Sequence, residues 1–251
     1  MFYYSRIRAA IVATFLATSV LCPGSKALAV VVTQMSDITS WYGTGSNEAA
    51  LVIQWNDGNT PVSLAWGFRW DGVATLSVQQ MLNAIAGQVT IYAPDPDDTS
   101  EIPAIIPTTT TNPSGDSRLS WTGNESASWG TSMEGISYNQ TGLPGYTSVT
   151  REQSGFTNAG YWNFLIGTTG DSFNAFFAFA DEGISSLTLT DGGWYGFAYA
   201  PYVPTATGYT FDAPTAAVPE PGTVLLALGG VAFLIIIRRR HAQKDARVLA
   251  H

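Results

Sequence analysis

Ala50-Leu51-Val52-Ile53-Gln54-Trp55, Asn56-Asp57-Gly58-Asn59, then Ser63-Leu64-Ala65-Trp66-Gly67-Phe68-Arg69-Trp70 closed by Asp71-Gly72: this stretch decides the fold class. Side chains of a strand alternate between faces, so Leu51, Ile53 and Trp55 share one face of the first run. In the second run Leu64, Trp66, Phe68 and Trp70 share a face, with Ala65, Gly67 and Arg69 on the other. Asp57-Gly58 and Asp71-Gly72 are turn signals. The period then changes. Thr75 or Ser77 serves as an N-cap, Val78, Met81, Leu82 and Ile85 recur at i, i+3, i+4 and i+7, and Gly87 stands where a C′ glycine belongs.

Outward from this stretch the pattern is strand-like. Between Ala93 and Thr111 periodicity disappears, and Asp95, Asp97, Asp98 and Glu101 crowd a Pro-rich surface loop that runs into Thr108–Thr111. Shorter ordered pieces are expected at Leu119–Thr122, Gly135–Tyr138 and Tyr146–Thr150, with strands at Gly160–Gly167, Ala175–Phe179, Leu187–Thr190 and Trp194–Tyr199. Residues 205–217, rich in Pro, Ala and Thr, read as an exposed linker behind a β-rich domain spanning 30–204. One early helix among strands predicts a strand-dominated α+β fold, a mixed sheet carrying one amphipathic helix. The order strand, strand, helix, Tyr161-Trp162, then Asp191-Gly192-Gly193-Trp194-Tyr195-Gly196-Phe197 resembles β-grasp domains of the transcobalamin C-terminal type. That resemblance spans Leu51–Tyr199 with a large insertion; a β-sandwich with a small decorating helix is the alternative.

Charge is unevenly placed. The 251 residues hold 11 Lys+Arg against 19 Asp+Glu. Eight of the basic residues lie near the ends, and Val30–Ala217 keeps only Arg69, Arg118 and Arg151 against 17 carboxylates, a formal charge of −14. Such a body is a poor partner for nucleic acid, which needs clustered Lys and Arg. It also contains no His, Cys or Lys. Ser-His-Asp and Cys-His catalysis, Schiff-base lysine, His- or Cys-ligated metals and disulfides are therefore excluded from the body. Carboxylate chemistry, oxygen-ligand metals, or no chemistry remain.

The two ends read as addresses. Arg6 and Arg8, the apolar Ala9–Leu21 and the small-x-small Ala27-Leu28-Ala29 make residues 1–29 a signal peptide cleaved by signal peptidase after Ala29. At the other end stand Pro219-Glu220-Pro221, the apolar Val224–Ile237 and Arg238-Arg239-Arg240. Fourteen apolar residues make a helix of about 21 Å, a short span against a ~30 Å bilayer core. The arginines favour a transmembrane helix over 223–237, with 241–251 in the cytoplasm and the body outside, over a buried C-terminal helix. This tripartite tail, 218–240, resembles the PEP-CTERM sorting signal of exopolysaccharide-producing bacteria. The resemblance implies that an exosortase, a membrane protease-transpeptidase, recognises Pro219, Glu220, Pro221 and the Arg238–Arg240 cluster. By the same resemblance the helix anchors the chain transiently before its delivery to the cell surface or matrix.

Within the body, Trp66, Phe68 and Trp70 share a strand face that serves either as a sugar platform or as core, and core is the preferred reading. Trp41, Trp121, Trp129 and Trp194 sit among Gly and Ser and are expected to be partly exposed. Trp66, Trp70 and Trp194 are the candidate ligand-binding residues. The Asp95–Glu101 loop lacks the spacing of a Ca²⁺ loop and reads as solvated. Most carboxylates lie in turns, which explains them without glycosidase chemistry. Arg69 and Asp71 are expected to pair. The expectation is a non-enzymatic surface or matrix protein without cofactor or metal, in contact with exopolysaccharide. A carbohydrate or small-ligand binding module is the alternative, and a carboxylate hydrolase ranks below both.

Overall fold

The computed structural model describes residues 30–72, 75–94, 105–126, 129–143, 145–155, 160–201, 203 and 206–218. After a 3₁₀ turn at Met35–Asp37, the elements are β1 (Trp41–Gly43), β2 (Asn47–Gln54), β3 (Ser63–Trp70), α1 (Val78–Ile85), β4 (Ala86–Pro94), β5 (Ile105–Thr111), β6 (Asp116–Ser126), β7 (Gly130–Asn139), β8 (Thr150–Ser154), β9 (Tyr161–Ile166), β10 (Phe176–Phe179), β11 (Gly193–Ala200), β12 (Gly208–Thr210) and β13 (Thr215–Ala216).

They form two mixed sheets. The first runs β1-β3-β2-β11-β9-β10-β12, with β13 also pairing β3; the second runs β5-β4-β6-β7-β8. β2 is central to the first. It pairs antiparallel with β3 from Asn47↔Trp70 to Gln54↔Ser63 and parallel with β11 from Gly193↔Ala49 to Ala198↔Gln54. Both its faces are covered, as its nearly continuous apolar run requires. Leu51 and Ile53 enter one core, Ala50 and Val52 another. The larger core lies between the sheets and is aromatic. Trp66 meets Tyr138 edge-on at 5.5 Å, and Trp55 meets Trp162 edge-on at 6.3 Å. The smaller core covers the outer face of the first sheet, where Val32, Met35, Ile38, Phe211 and Ala216 pack on Ala50, Val52, Ala65 and Trp194.

This architecture corrects the expectation of one mixed, β-grasp-like sheet carrying a helix. Two sheets share the main core, and α1 lends Val78, Met81, Leu82 and Ile85 to it. Local helix chemistry follows the residues: Ser77 Oγ accepts from the Gln80 backbone N–H at 3.3 Å, and Gln80 Oε1 accepts from Ser77 N–H at 2.8 Å. Gly87, however, is no helix cap. Ala86 already has extended backbone, and Gly87 lies in β4, where a Cβ would come within 2.5 Å of Ser117 Cα. The parallel pairing of β4 with β6 demands the glycine.

Other expectations are corrected too. Ile105–Thr111, read within a loop, is an exposed edge strand paired with β4. Tyr146–Val149 and Leu187–Thr190 lie outside the strands. Residues 206–217 are no exposed linker: Gly208–Thr210 pairs with β10, Thr215-Ala216 pairs with β3, and Phe211, Ala216 and Ala217 are buried. Arg69 pairs with Glu48 at 2.8 Å in place of Asp71. That pair is half-exposed and contributes ~0–1 kcal/mol.

One buried ion pair fastens the second sheet to the β2–β3 turn. Arg151, fully buried in β8, donates to Asp57 Oδ1 and Oδ2 at 2.6 and 2.9 Å and to the Pro61 carbonyl at 2.6 Å, with its guanidinium 4.5 Å from the Trp55 ring centre. Burial works to raise the Asp57 carboxyl, but hydrogen bonds from Arg151 and Asn59 outweigh it and hold it below its ordinary value. A depressed carboxyl stabilises the fold above its unfolded value and loses that contribution as pH falls through the folded one. Chemical denaturation should therefore show stability falling below about pH 4, where an unperturbed Asp titrates. Asp57→Ala leaves a buried guanidinium unpaired and should cost about 3 kcal/mol at neutral pH. Loss of less than about 1 kcal/mol would show that the pair is not holding the sheets together.

Candidate functional site

The sequence-derived ligand candidates are core residues. Trp66, Trp70 and Trp194 are 0%, 6% and 1% exposed, and none forms a surface platform. Trp66 donates from Nε1 to Asp116 Oδ2 at 3.1 Å, Trp70 stacks on Phe68 at 5.9 Å, and Trp194 donates to the Gly170 carbonyl at 2.8 Å. Trp121 is buried as well, and Trp41 lies half-buried beneath the Arg69 guanidinium. Of the tryptophans expected to reach solvent, Trp129 does so most, at 70% exposure. Ala27, Ala29, Pro219, Glu220, Pro221, Arg238, Arg239, Arg240, the helix expected over 223–237 and the Asp95–Glu101 loop lie outside the described residues.

Trp129 overlooks a groove of about 390 Å³ between β7 and β9, whose walls include Glu134, Tyr161, Phe164, Asp181 and Glu182. A second hollow of about 360 Å³ shares Tyr161 and Phe164 and extends it along β9. Among the described residues, no basic one lines either hollow. Part of the backbone around the groove is already paired. β9 lies between β10 and β11, and the carbonyls of Trp129, Thr131 and Glu134 accept from Gly183, Ile184 and Gly155. Sequence reasoning missed this groove because its residues come from three distant segments; the one signal was Trp129 among Ser and Gly. No cluster of three His, Cys, Asp or Glu that could hold a metal occurs among the described residues.

The other functional feature is the strand that leaves the body. Three consecutive carbonyls are each held by side chains. Tyr146 OH donates to Ala216 O at 3.1 Å, Ser40 Oγ and Thr39 Oγ1 donate to Ala217 O at 2.6 and 2.9 Å, and Arg118 Nη2 donates to Val218 O. On the backbone, Ala216 N–H donates to Val30 O and Ala217 N–H to Ala65 O. Arg118 is itself oriented by Asp116, donating from Nε to Oδ1 at 2.9 Å and from Nη2 to Oδ2 at 3.2 Å. Residues 30 and 216, far apart in sequence, are thus neighbours, and the chain is gripped up to residue 218.

Burial pushes the Tyr146 hydroxyl up to about 12, Arg118 opposing and Asp116 adding to the shift; burial raises Tyr138 further. A raised phenol stabilises the fold below its unfolded value of about 10, and that contribution disappears as pH rises through the folded one. Denaturation at alkaline pH should show stability falling between pH 10 and about 12. Tyr146→Phe should cost about 1 kcal/mol at neutral pH and weaken the alkaline loss, leaving the Tyr138 part. An unchanged alkaline profile would mean Tyr146 is not sealed against Ala216.

Comparison with known proteins bears on this end of the chain. No curated protein and no solved structure matches the sequence. Residues 217–240 match the family model of the PEP-CTERM protein-sorting motif. The match begins at Ala217, just past β13 and within the gripped segment, and ends at Arg240. The chain therefore carries a PEP-CTERM sorting signal, which implies processing by exosortase and delivery to the cell surface or extracellular space.

Proposed function

We propose that the body is a non-enzymatic, adhesive component of the extracellular matrix, held briefly in the inner membrane by the 223–237 helix and then released to the surface, where exopolysaccharide surrounds it. The sorting motif at 217–240 carries this reading. Two observations support it. The body lacks His, Cys and Lys and so lacks the usual nucleophile and base pairs. Its exit segment is held by side chains up to Val218, and Pro219-Glu220-Pro221 follows directly in the sequence. Signal peptidase removes residues 1–29, leaving Val30 beside the exit strand.

Proline denies the backbone an N–H donor and disfavours helix in the residue before it, so the sequence Pro219-Glu220-Pro221 favours an extended segment over a helical one. An extended segment at the membrane surface is what a membrane protease can grip. The test is the double variant Pro219→Ala with Glu220→Ala in cells that contain exosortase. Fractionation should find precursor accumulating in the membrane and the surface form depleted severalfold. Replacing Arg238–Arg240 with neutral residues should instead disturb orientation, read by protease accessibility. Release of the double variant at the wild-type level would make the helix a permanent anchor and overturn the reading.

A further inference from the structure

The groove beside Trp129 has a chemistry that the sorting signal does not explain. Its rim offers an indole that is 70% exposed, although large aromatics are normally drawn into cores, and this body buries Trp55, Trp66, Trp121 and Trp194 completely or nearly so. Tyr161 and Phe164 continue the aromatic surface into the adjoining hollow. Glu134, Asp181 and Glu182 supply three carboxylates, and none of them forms an ion pair among the described residues, where the salt bridges are Arg69–Glu48, Arg118–Asp116 and Arg151–Asp57.

These features select a ligand. An exposed ring favours a flat partner with an apolar face, and a cation near that ring is attracted by its π system. Carboxylates without a basic residue favour a positively charged ligand and repel an anionic one. An extended peptide is disfavoured beside Trp129, because the carbonyls of Trp129, Thr131 and Glu134 already accept from Gly183, Ile184 and Gly155. The two hollows together suit several sugar rings in a row.

We propose that this groove binds an oligosaccharide bearing free amino groups, with sugar rings stacked on Trp129 and ammonium groups facing Glu134, Asp181 and Glu182. The proposal does not depend on processing, because binding can be measured on the purified full-length chain in detergent. The probes are a glucosamine hexamer, the N-acetylglucosamine hexamer and a galacturonic acid hexamer, titrated by calorimetry. The glucosamine hexamer should bind at least about tenfold more tightly than its acetylated counterpart, the uronate should not bind, and added salt should weaken the interaction. Trp129→Ala should weaken binding about tenfold without lowering the melting temperature, since the side chain is exposed. Asp181→Asn with Glu182→Gln keeps shape and should abolish the preference for the amine. Equal binding of the acetylated hexamer, tighter binding of the uronate, no binding by any probe, or full affinity in both variants would each overturn the proposal.

Discussion

The buried carboxylate of Asp116 is the point on which the rest of the structure depends. It lies at the start of β6 in the second sheet and accepts from the indole of Trp66 in the first sheet and from the guanidinium of Arg118. Arg118 in turn reaches Val218 and lies over the Tyr138 ring. One charge pair therefore joins both sheets and the strand that leads into the sorting signal. A buried ion pair gives little net stability compared with apolar packing, yet removing one partner is costly, so such a pair acts more as a register than as glue. Here it sets how the two sheets and the last strand meet.

The surrounding core explains how a domain without disulfides can hold this arrangement. Its fully buried side chains are led by Trp55, Trp66 and Trp121, joined by Tyr138 and Phe197. Aromatics bury large areas and interlock edge-on, as Trp66 does with Tyr138 and Trp162 with Tyr199 at 5.5 Å. One such pair, its rings from two strands, thus fills space that several aliphatic residues would otherwise occupy. The outer face of the first sheet is closed differently, by the first and last stretches of the body packed together. Both ends of the body are thus structural parts of it, although the composition of 205–217 reads as connecting chain.

That contrast accounts for what was legible in the sequence. β2, β3 and α1 carry strong periods and were readable to within a few residues; so was the order of features in the sorting tail. The second sheet was not. Along β6 and β7 most outward positions are Ser, Thr, Gly and Asn, which look like loop, and only fragments such as Leu119–Thr122 stood out. The exit strand was hidden for a related reason: Thr215, Ala216 and Ala217 are small, and their burial comes from fitting beneath Ser40, Tyr146 and Arg118, partners that lie far away in sequence. Trp194 and Trp121 sat in glycine- and serine-rich contexts that suggest exposure, but those small neighbours let other groups approach closely. The groove required three distant segments to meet, and no local pattern announces that.

In the proposed maturation the folded body and the sorting signal adjoin at residues 217–218, and removal of the tail leaves the exit segment in place. The intact mass of the form recovered from the cell surface tests this most directly. The expected mass corresponds to a chain that begins at Val30 and ends after Val218 but before Val224. A mass that retains the arginines of 238–240, or one that lacks Thr215–Val218, would contradict the account.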